Sequence, residues 1–253
     1  MAGEGLNGTV SGALGSIKAI AEGTEAEQAG RTPWFFKDGL SDKDPFKRFK
    51  VKLRKEIVTT GFKEAYRVDE SINSLTPEEW HAVLSSDEEY ELIDVRNYYE
   101  TELGKFRGAT DPNLVHFKHF GEFVDKAEIP KDKKVLMYCT GGIRCEKAIF
   151  EMLDRGYDDV SQLKGGILDY LKKYPNKEFE GECFVFDQRV SVDQALKPSE
   201  RFVLCPHCGQ PGELEINCER CDSKAKICDR CAEKSIEARS CGKNCSYQLQ
   251  RAV

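Results

Sequence analysis

Eight cysteines crowded into residues 205–253 restrict this chain more than any other feature. They run Cys205-x2-Cys208-x9-Cys218-x2-Cys221 and then Cys228-x2-Cys231-x9-Cys241-x3-Cys245, so the second set repeats the first 23 residues later at three positions and 24 later at the last. A segment of this size with few large apolar residues cannot bury enough surface to fold unaided. Thiolates three residues apart grip one ion from a tight turn, and four of them close the shell of a structural zinc site. Two structural Zn2+ are therefore expected, each supplying folding free energy on the order of 10 kcal/mol. The repeat favours sequential sites, one within 205–221 and one within 228–245, although a cross-braced pairing of alternate pairs satisfies the same spacing. His207, between two ligands, is expected to point elsewhere.

The other limits are broad. A chain of 253 residues with 40% apolar content supports one to three ordinary domains. No run of eighteen apolar residues and no basic-then-apolar leader occurs, so no membrane contact is expected and an intracellular, cytoplasmic setting is the default; an organelle enters only if an upstream targeting segment is missing. The net charge of -6 argues against nucleic-acid binding by bulk electrostatics and leaves a local basic patch open.

Along the chain, Asn7-Gly8 before Thr9-Val10 reads as a turn entering a strand. Phe49, Val51 and Leu53 alternate with Lys50, Lys52 and Arg54, a period of two that predicts an apolar sheet face and a basic outer face. That outer face is either a solvated, lysine-guarded edge or a phosphate contact. From Ser71 the pattern becomes alternating strand and helix. Thr76-Pro77-Glu78-Glu79 opens a helix, Tyr90 to Val95 and Lys134 to Tyr138 read as strands, Glu146 to Leu153 as a helix, Val160 to Leu163 as a strand and Ile167 to Tyr174 as a helix. The order predicts an α/β unit with a largely parallel sheet.

The strand Lys134 to Tyr138 runs directly into Cys139-Thr140-Gly141-Gly142-Ile143-Arg144 and then a helix. Such a turn brings loop N–H groups and a helix N-terminus onto the sulfur, which favours an anion. An ordinary thiol of pKa about 8.5 is only a few per cent thiolate at neutral pH. Since a helix terminus contributes roughly 0.3–2 kcal/mol, the loop amides and the charge of Arg144 must help. Thiolate attack or persulfide storage is the chemistry expected of Cys139. The alternative is an inert buried cysteine. Cys145 is either a resolving thiol for Cys139 or simply an early residue of the helix.

Asp94-Val95-Arg96, Gly108-Ala109, Tyr138-Cys139-x2-Gly142-x-Arg144 and Gly165-Gly166-Ile167 together resemble the rhodanese family across Leu75 to Tyr174. That resemblance implies that Cys139 carries a persulfide or acts as nucleophile, that Thr140, Gly141, Gly142, Ile143 and Arg144 cradle the anion, and that Asp94 and Arg96 are structural. Related phosphatases have five residues between Cys and Arg, against four here, so phosphatase activity is not expected. The longer string Cys139 to Ala148, with Glu4 to Gly12, Pro45 to Val58, Gln162 to Leu168 and Phe186 to Val192, is more specific. It resembles the rhodanese-containing tRNA uridine 5-hydroxylases.

This closer resemblance implies O2-dependent hydroxylation at C5 of the tRNA wobble uridine, with tRNA as partner and the loop cysteine required. Lys47, Arg48, Lys50, Lys52, Arg54, Lys55 and Lys147 then become candidates for phosphate contacts. The oxygen-activating group has no visible signature. There is no dinucleotide fingerprint, and His116-x2-His119 reads as packed or surface histidines rather than an iron site. Plain sulfur transfer, with a sulfur-donor protein as partner, and a non-enzymatic zinc-organised binding module are the alternatives. The resulting architecture is α/β: a rhodanese-like parallel sheet flanked by helices (71–176), preceded by an incomplete ferredoxin-like α+β domain with an unpaired sheet edge (1–70), and followed by a linker (177–204) and a zinc-binding tail (205–253).

Overall fold

The structure is a computed structural model that describes residues 1–2, 5–27, 39, 44–60 and 72–251. The positions Glu4 and Ser71, used above to place a motif and a boundary, lie outside the described residues. The chain divides into two units, Met1–Ile57 and Val58–Val253.

In the first unit the helix α1 spans Leu14–Glu27. The Met1 amine donates to the Lys52 carbonyl at 2.9 Å, and the Arg54 N–H donates to the Met1 carbonyl at 2.8 Å. The strands expected near Thr9 and over 49–54 do not form among the described residues. Phe49, Val51 and Leu53 are 77%, 60% and 82% exposed rather than lined up on a core. Alternation specifies which face is apolar, but a strand also needs a ladder partner for its backbone groups and a surface to cover that face. Met1 supplies only two bonds.

The second unit follows the expected α/β order. β1 (Ser74–Leu75), α2 (Pro77–Leu84), β2 (Glu91–Asp94), α3 (Tyr98–Thr101), β3 (Gly104–Phe106), α4 (Phe120–Lys126), β4 (Val135–Tyr138), α5 (Ile143–Leu153), β5 (Val160–Leu163) and α6 (Gly166–Lys173) succeed one another. The main sheet has the order β1-β5-β4-β2 and all its pairings are parallel. Thr76 caps α2 at the expected start, and Glu79 returns the bond to the Thr76 N–H at 2.8 Å, which completes a capping box. All four residues of β4 are buried because both sheet faces are covered. Val135 and Met137 face a core shared with Cys145, Ile149 and Met152 of α5. Leu136 and Tyr138 face one shared with Trp80, Ile167 and Tyr170.

The expected linker is built into this unit. β6 (Phe179–Gly181) pairs antiparallel with β3, and β7 (Cys183–Phe184) pairs with β8 (Ser191–Val192). Cys183 is fully buried there, and that burial pushes its thiol up to about 12. The tail comprises β9 (Val203–Leu204), β10 (Pro211–Gly212), the hairpin β11 (Leu214–Asn217) with β12 (Lys224–Ile227), α7 (Asp229–Ala232) and α8 (Lys243–Arg251). Arg230 lies 3.5 Å over the Tyr98 ring and Gln210 donates to the Tyr98 hydroxyl, joining the tail to α3. Among the described residues no helix is long and apolar enough to cross a membrane.

Candidate active site

Cys139 sits at the C-terminal end of β4, where the chain turns through Gly142 into α5. Gly142 takes φ 100°, a region open to glycine, and its N–H donates to Cys139 Sγ at 3.1 Å. The outward ends of the loop peptides are held by α6. The N–H groups of Ile167 and Leu168 donate to the carbonyls of Cys139 and Thr140 at 3.0 and 3.3 Å. Gly166 makes this approach possible: it has φ 69°, and a Cβ there would stand 2.5 Å from the Cys139 carbonyl. With carbonyls tied outward, the amides turn inward.

Burial is the largest influence on the Cys139 thiol and opposes ionisation. It is outweighed by the Cys145 thiol, the Arg144 charge and the N–H groups of Arg144 and Cys145, which hold Cys139 well below the ordinary thiol range. Burial and the neighbouring Cys139 push Cys145 the other way. Cys139 is therefore the more acidic thiol of the pair and Cys145 the less acidic, both packed in the core on the α5 face of the sheet. Both expected roles of Cys145 stay compatible with this placement, as it is an early helix residue and also touches the sulfur.

One residue was missed. Glu100 of α3 is fully buried and receives both arms of the Arg144 guanidinium, at 2.5 and 2.7 Å. Burial raises its carboxyl, but Arg144 prevails and keeps it below the ordinary carboxylate range. Thr140 Oγ1 completes the cluster by donating to Glu100 Oε2 at 3.3 Å. Arg144 is thus a clamped structural cation whose charge is largely matched, rather than an open anion hook. The available signal was the capping box Asn97-x2-Glu100, which places an acid in the first turn of α3. Asp94 and Arg96 meet in a separate buried pair, with Arg96 Nη2 to Asp94 Oδ2 at 2.6 Å and to the Gly104 carbonyl at 2.6 Å.

The other predicted residues divide. Lys47, Arg48, Lys50, Lys52, Arg54 and Lys55 are all exposed in the first unit. Lys147 is buried, with Nζ donating to the Val58 carbonyl at 2.9 Å, so it is no surface phosphate contact. The rings of His116 and His119 lie 6.3 Å apart and near parallel, and His119 Nδ1 contacts Glu122 at 3.3 Å.

The eight tail cysteines form two quartets, and their membership overturns the expected sequential pairing. Cys205, Cys208, Cys228 and Cys231 make one, Cys218, Cys221, Cys241 and Cys245 the other, each with its sulfurs within 4.8 Å of one another. The hairpin is the cause. Leu214 pairs with Ile227 at its base and Asn217 with Lys224 near its tip, about 10 Å apart along the strand. The first and third cysteine pairs flank the base, while the second pair lies at the tip. The Glu219 N–H, bonded to the Arg239 carbonyl at 2.9 Å, draws the fourth pair there.

The donor sets fit a four-coordinate soft ion. A tetrahedron of Zn–S bonds near 2.3 Å has edges of about 3.8 Å. Sulfur separations are 3.4 Å for Cys208 to Cys228, 3.6 Å for Cys221 to Cys241 and for Cys241 to Cys245, and 3.7 Å for Cys245 to Cys221. One thiol of the first quartet and two of the second are drawn down, Cys221 through its hydrogen bonds to Ser223 and the other two against their own burial. Cys205 falls to about 7 through the N–H groups of Cys208, Cys228 and His207, and Cys218 to about 6 through those of Cys241, Arg220 and Cys221. His207 does point away from both sets of sulfurs. Its Nε2 lies 2.8 Å from the Ser240 carbonyl, so one quartet is stitched to the chain beside the other.

A parallel sheet whose central strand delivers a cysteine into a loop of inward-turned amides defines a rhodanese-type domain. Family models match accordingly: the rhodanese-like domain at residues 76–173, the rhodanase C-terminal family at 180–246 and the UPF0176 acylphosphatase like domain at 1–57. A tRNA uridine(34) hydroxylase of Bdellovibrio bacteriovorus is 52% identical over 217 residues, which are 86% of this chain and 62% of that protein. The chain thus spans less than two thirds of that relative's length. Another protein of the same name, from Bartonella bacilliformis, is 42% identical over 94% of this chain and 78% of its own length. This chain belongs to the tRNA uridine(34) hydroxylase family. A solved rhodanese-like domain from Anabaena sp. aligns at 22% identity with a TM-score of 0.37, covering 43% of this chain and 78% of that one.

Proposed function

We propose that this chain hydroxylates C5 of the wobble uridine of tRNA, with O2 as co-substrate and Cys139 as the required sulfur. The observation that carries this reading is an anionic, amide-cradled Cys139 in a chain whose relatives bear the name tRNA uridine(34) hydroxylase. Turning C5–H into C5–OH removes two electrons from the base. O2 accepts four on its way to one hydroxyl and one water, so a reductant supplies the remaining pair. Sulfur transfer would use the same cradle, since a persulfide is also an anion, but the relatives' name supports hydroxylation.

Each cysteine quartet holds one Zn2+ in this reading, four thiolates filling its shell, so the ions organise the tail and perform no chemistry. The six exposed cations between Lys47 and Lys55 neutralise tRNA phosphates. Replacing Lys50 and Lys52 together lowers the salt slope of tRNA binding by about 2 if each makes one contact. An unchanged slope removes them from the interface. The cytoplasm suits a protein with so many reduced thiols.

The deciding experiment is nucleoside mass spectrometry of tRNA from cells lacking their own hydroxylase and supplied with this chain. The intact chain restores 5-hydroxyuridine and Cys139→Ser does not. Restoration by Cys139→Ser overturns the proposal.

A further inference from the structure

The segment that follows β7 carries a second feature beside the sulfur site. Phe186 is 63% exposed, although its ring meets Phe184 edge to face at 4.9 Å and Phe184 in turn meets Tyr99 at 5.4 Å. These three rings, with the amides of Gln188 and Gln210, line an open cavity of about 360 Å³. That is within the range of about 300–1,000 Å³ typical of small-ligand clefts. The cavity adjoins the cysteine loop, because the guanidinium of Arg144, in the first turn of α5 just after that loop, lies 5.7 Å from the Phe186 ring centre.

The loop that displays Phe186 is rigid and strained. The Val185 N–H donates to the Val190 carbonyl at 2.9 Å and the Val190 N–H to the Asp187 carbonyl at 3.1 Å. Arg189 grips both oxygens of Asp187, at 2.9 and 2.6 Å. Val190 has φ 65°, a conformation that a β-branched residue rarely adopts, and it is locked there by burial beside Leu103 and Phe202. Strain of this kind is retained where the surroundings over-determine it, commonly at a ligand clamp. Here it holds a large apolar ring in solvent.

We propose that Phe186 is the stacking platform for one unpaired pyrimidine nucleotide of the RNA substrate, seated in this cavity beside the sulfur loop. The proposal rests on the hydroxylase reading and adds to it a base-binding site. Unstacked bases of single-stranded RNA are taken up on exposed aromatic faces, and neighbouring amides satisfy their edges. Gln188 is exposed and offers both a donor and an acceptor, as the edge of a uracil requires.

The test uses the full, metal-loaded chain. An RNA stem-loop with 5-bromouridine at the target position is irradiated on the protein, and the adduct is mapped by peptide mass spectrometry. The site predicts an adduct on Phe186, Phe184 or Tyr99; an adduct elsewhere, or none, overturns it. In parallel, Phe186→Ala lowers kcat/KM for tRNA hydroxylation roughly ten-fold, chiefly through KM. Phe186→Tyr and Phe186→Trp retain it, and Val115→Ala, at another exposed apolar position, leaves it unchanged. Equal activity of Phe186→Ala and the intact chain, or equal loss in all three Phe186 variants, refutes stacking and assigns the ring another role, such as holding a protein. If the intact chain hydroxylates no tRNA, the hydroxylase reading falls, while the crosslink still reports on the cavity.

Discussion

Cys139 and Cys205 are both buried sulfurs that collect backbone N–H groups, and both are drawn below the ordinary thiol range. They are nevertheless opposite devices. Around Cys139 the stabilising groups are fixed dipoles, one neighbouring thiol and a cation already matched by Glu100, so a single negative charge is complete without any added ion. Around Cys205 three further thiols crowd the same space, and ionising all four is possible only if a cation arrives. A lone anion is prepared for chemistry, whereas a cluster of would-be anions is prepared for a metal.

The sharpest break of this comparison is at the tail. Cys205→Ser/Cys228→Ser should cost one of the two ions, and Cys205→Ser/Cys218→Ser should cost both, because the latter pair touches both quartets. Sequential sites would reverse the two results. Each lost ion removes folding free energy on the order of 10 kcal/mol from the tail. Metal content by elemental analysis, with amide exchange over 205–251, reads both effects.

A smaller effect tests the matched cation. Glu100→Gln leaves Arg144 in the core without its counter-charge and should destabilise the second unit by about 3–5 kcal/mol, measured by urea unfolding of the metal-loaded chain. A loss below about 1 kcal/mol would mean that solvent reaches Arg144.

The mildest test is a titration. A thiol whose folded value is depressed contributes stability above its unfolded value and loses it as pH falls through the folded one. The ultraviolet thiolate absorbance that distinguishes the intact chain from Cys139→Ser should therefore persist at neutral pH and vanish only on acidification. A midpoint at or above the usual thiol range would make Cys139 an ordinary buried cysteine.

What was legible in the sequence follows the same division. Local signals placed α2 through Thr76, Pro77 and the acids that follow, β4 through its four apolar residues and the cysteine loop through its glycines, because each depends on neighbours in the chain. The pairing of the quartets was hidden, since equal spacing serves both arrangements and only the hairpin chooses. Glu100 was hidden because its partner is 44 residues away. The alternation at Phe49, Val51 and Leu53 was read correctly as a pattern and wrongly as a strand, for want of a ladder partner among the described residues. Phe186 entered only as one letter of a family motif, since nothing local marks an aromatic ring as exposed.

The interlocked quartets have one more consequence. The span closed by the first quartet, Cys205 to Cys231, contains two members of the second, and the span closed by the second, Cys218 to Cys245, contains two members of the first. An ion seated in either quartet would shorten the loop left for the other to close, so losing one would weaken the grip on the second without abolishing it.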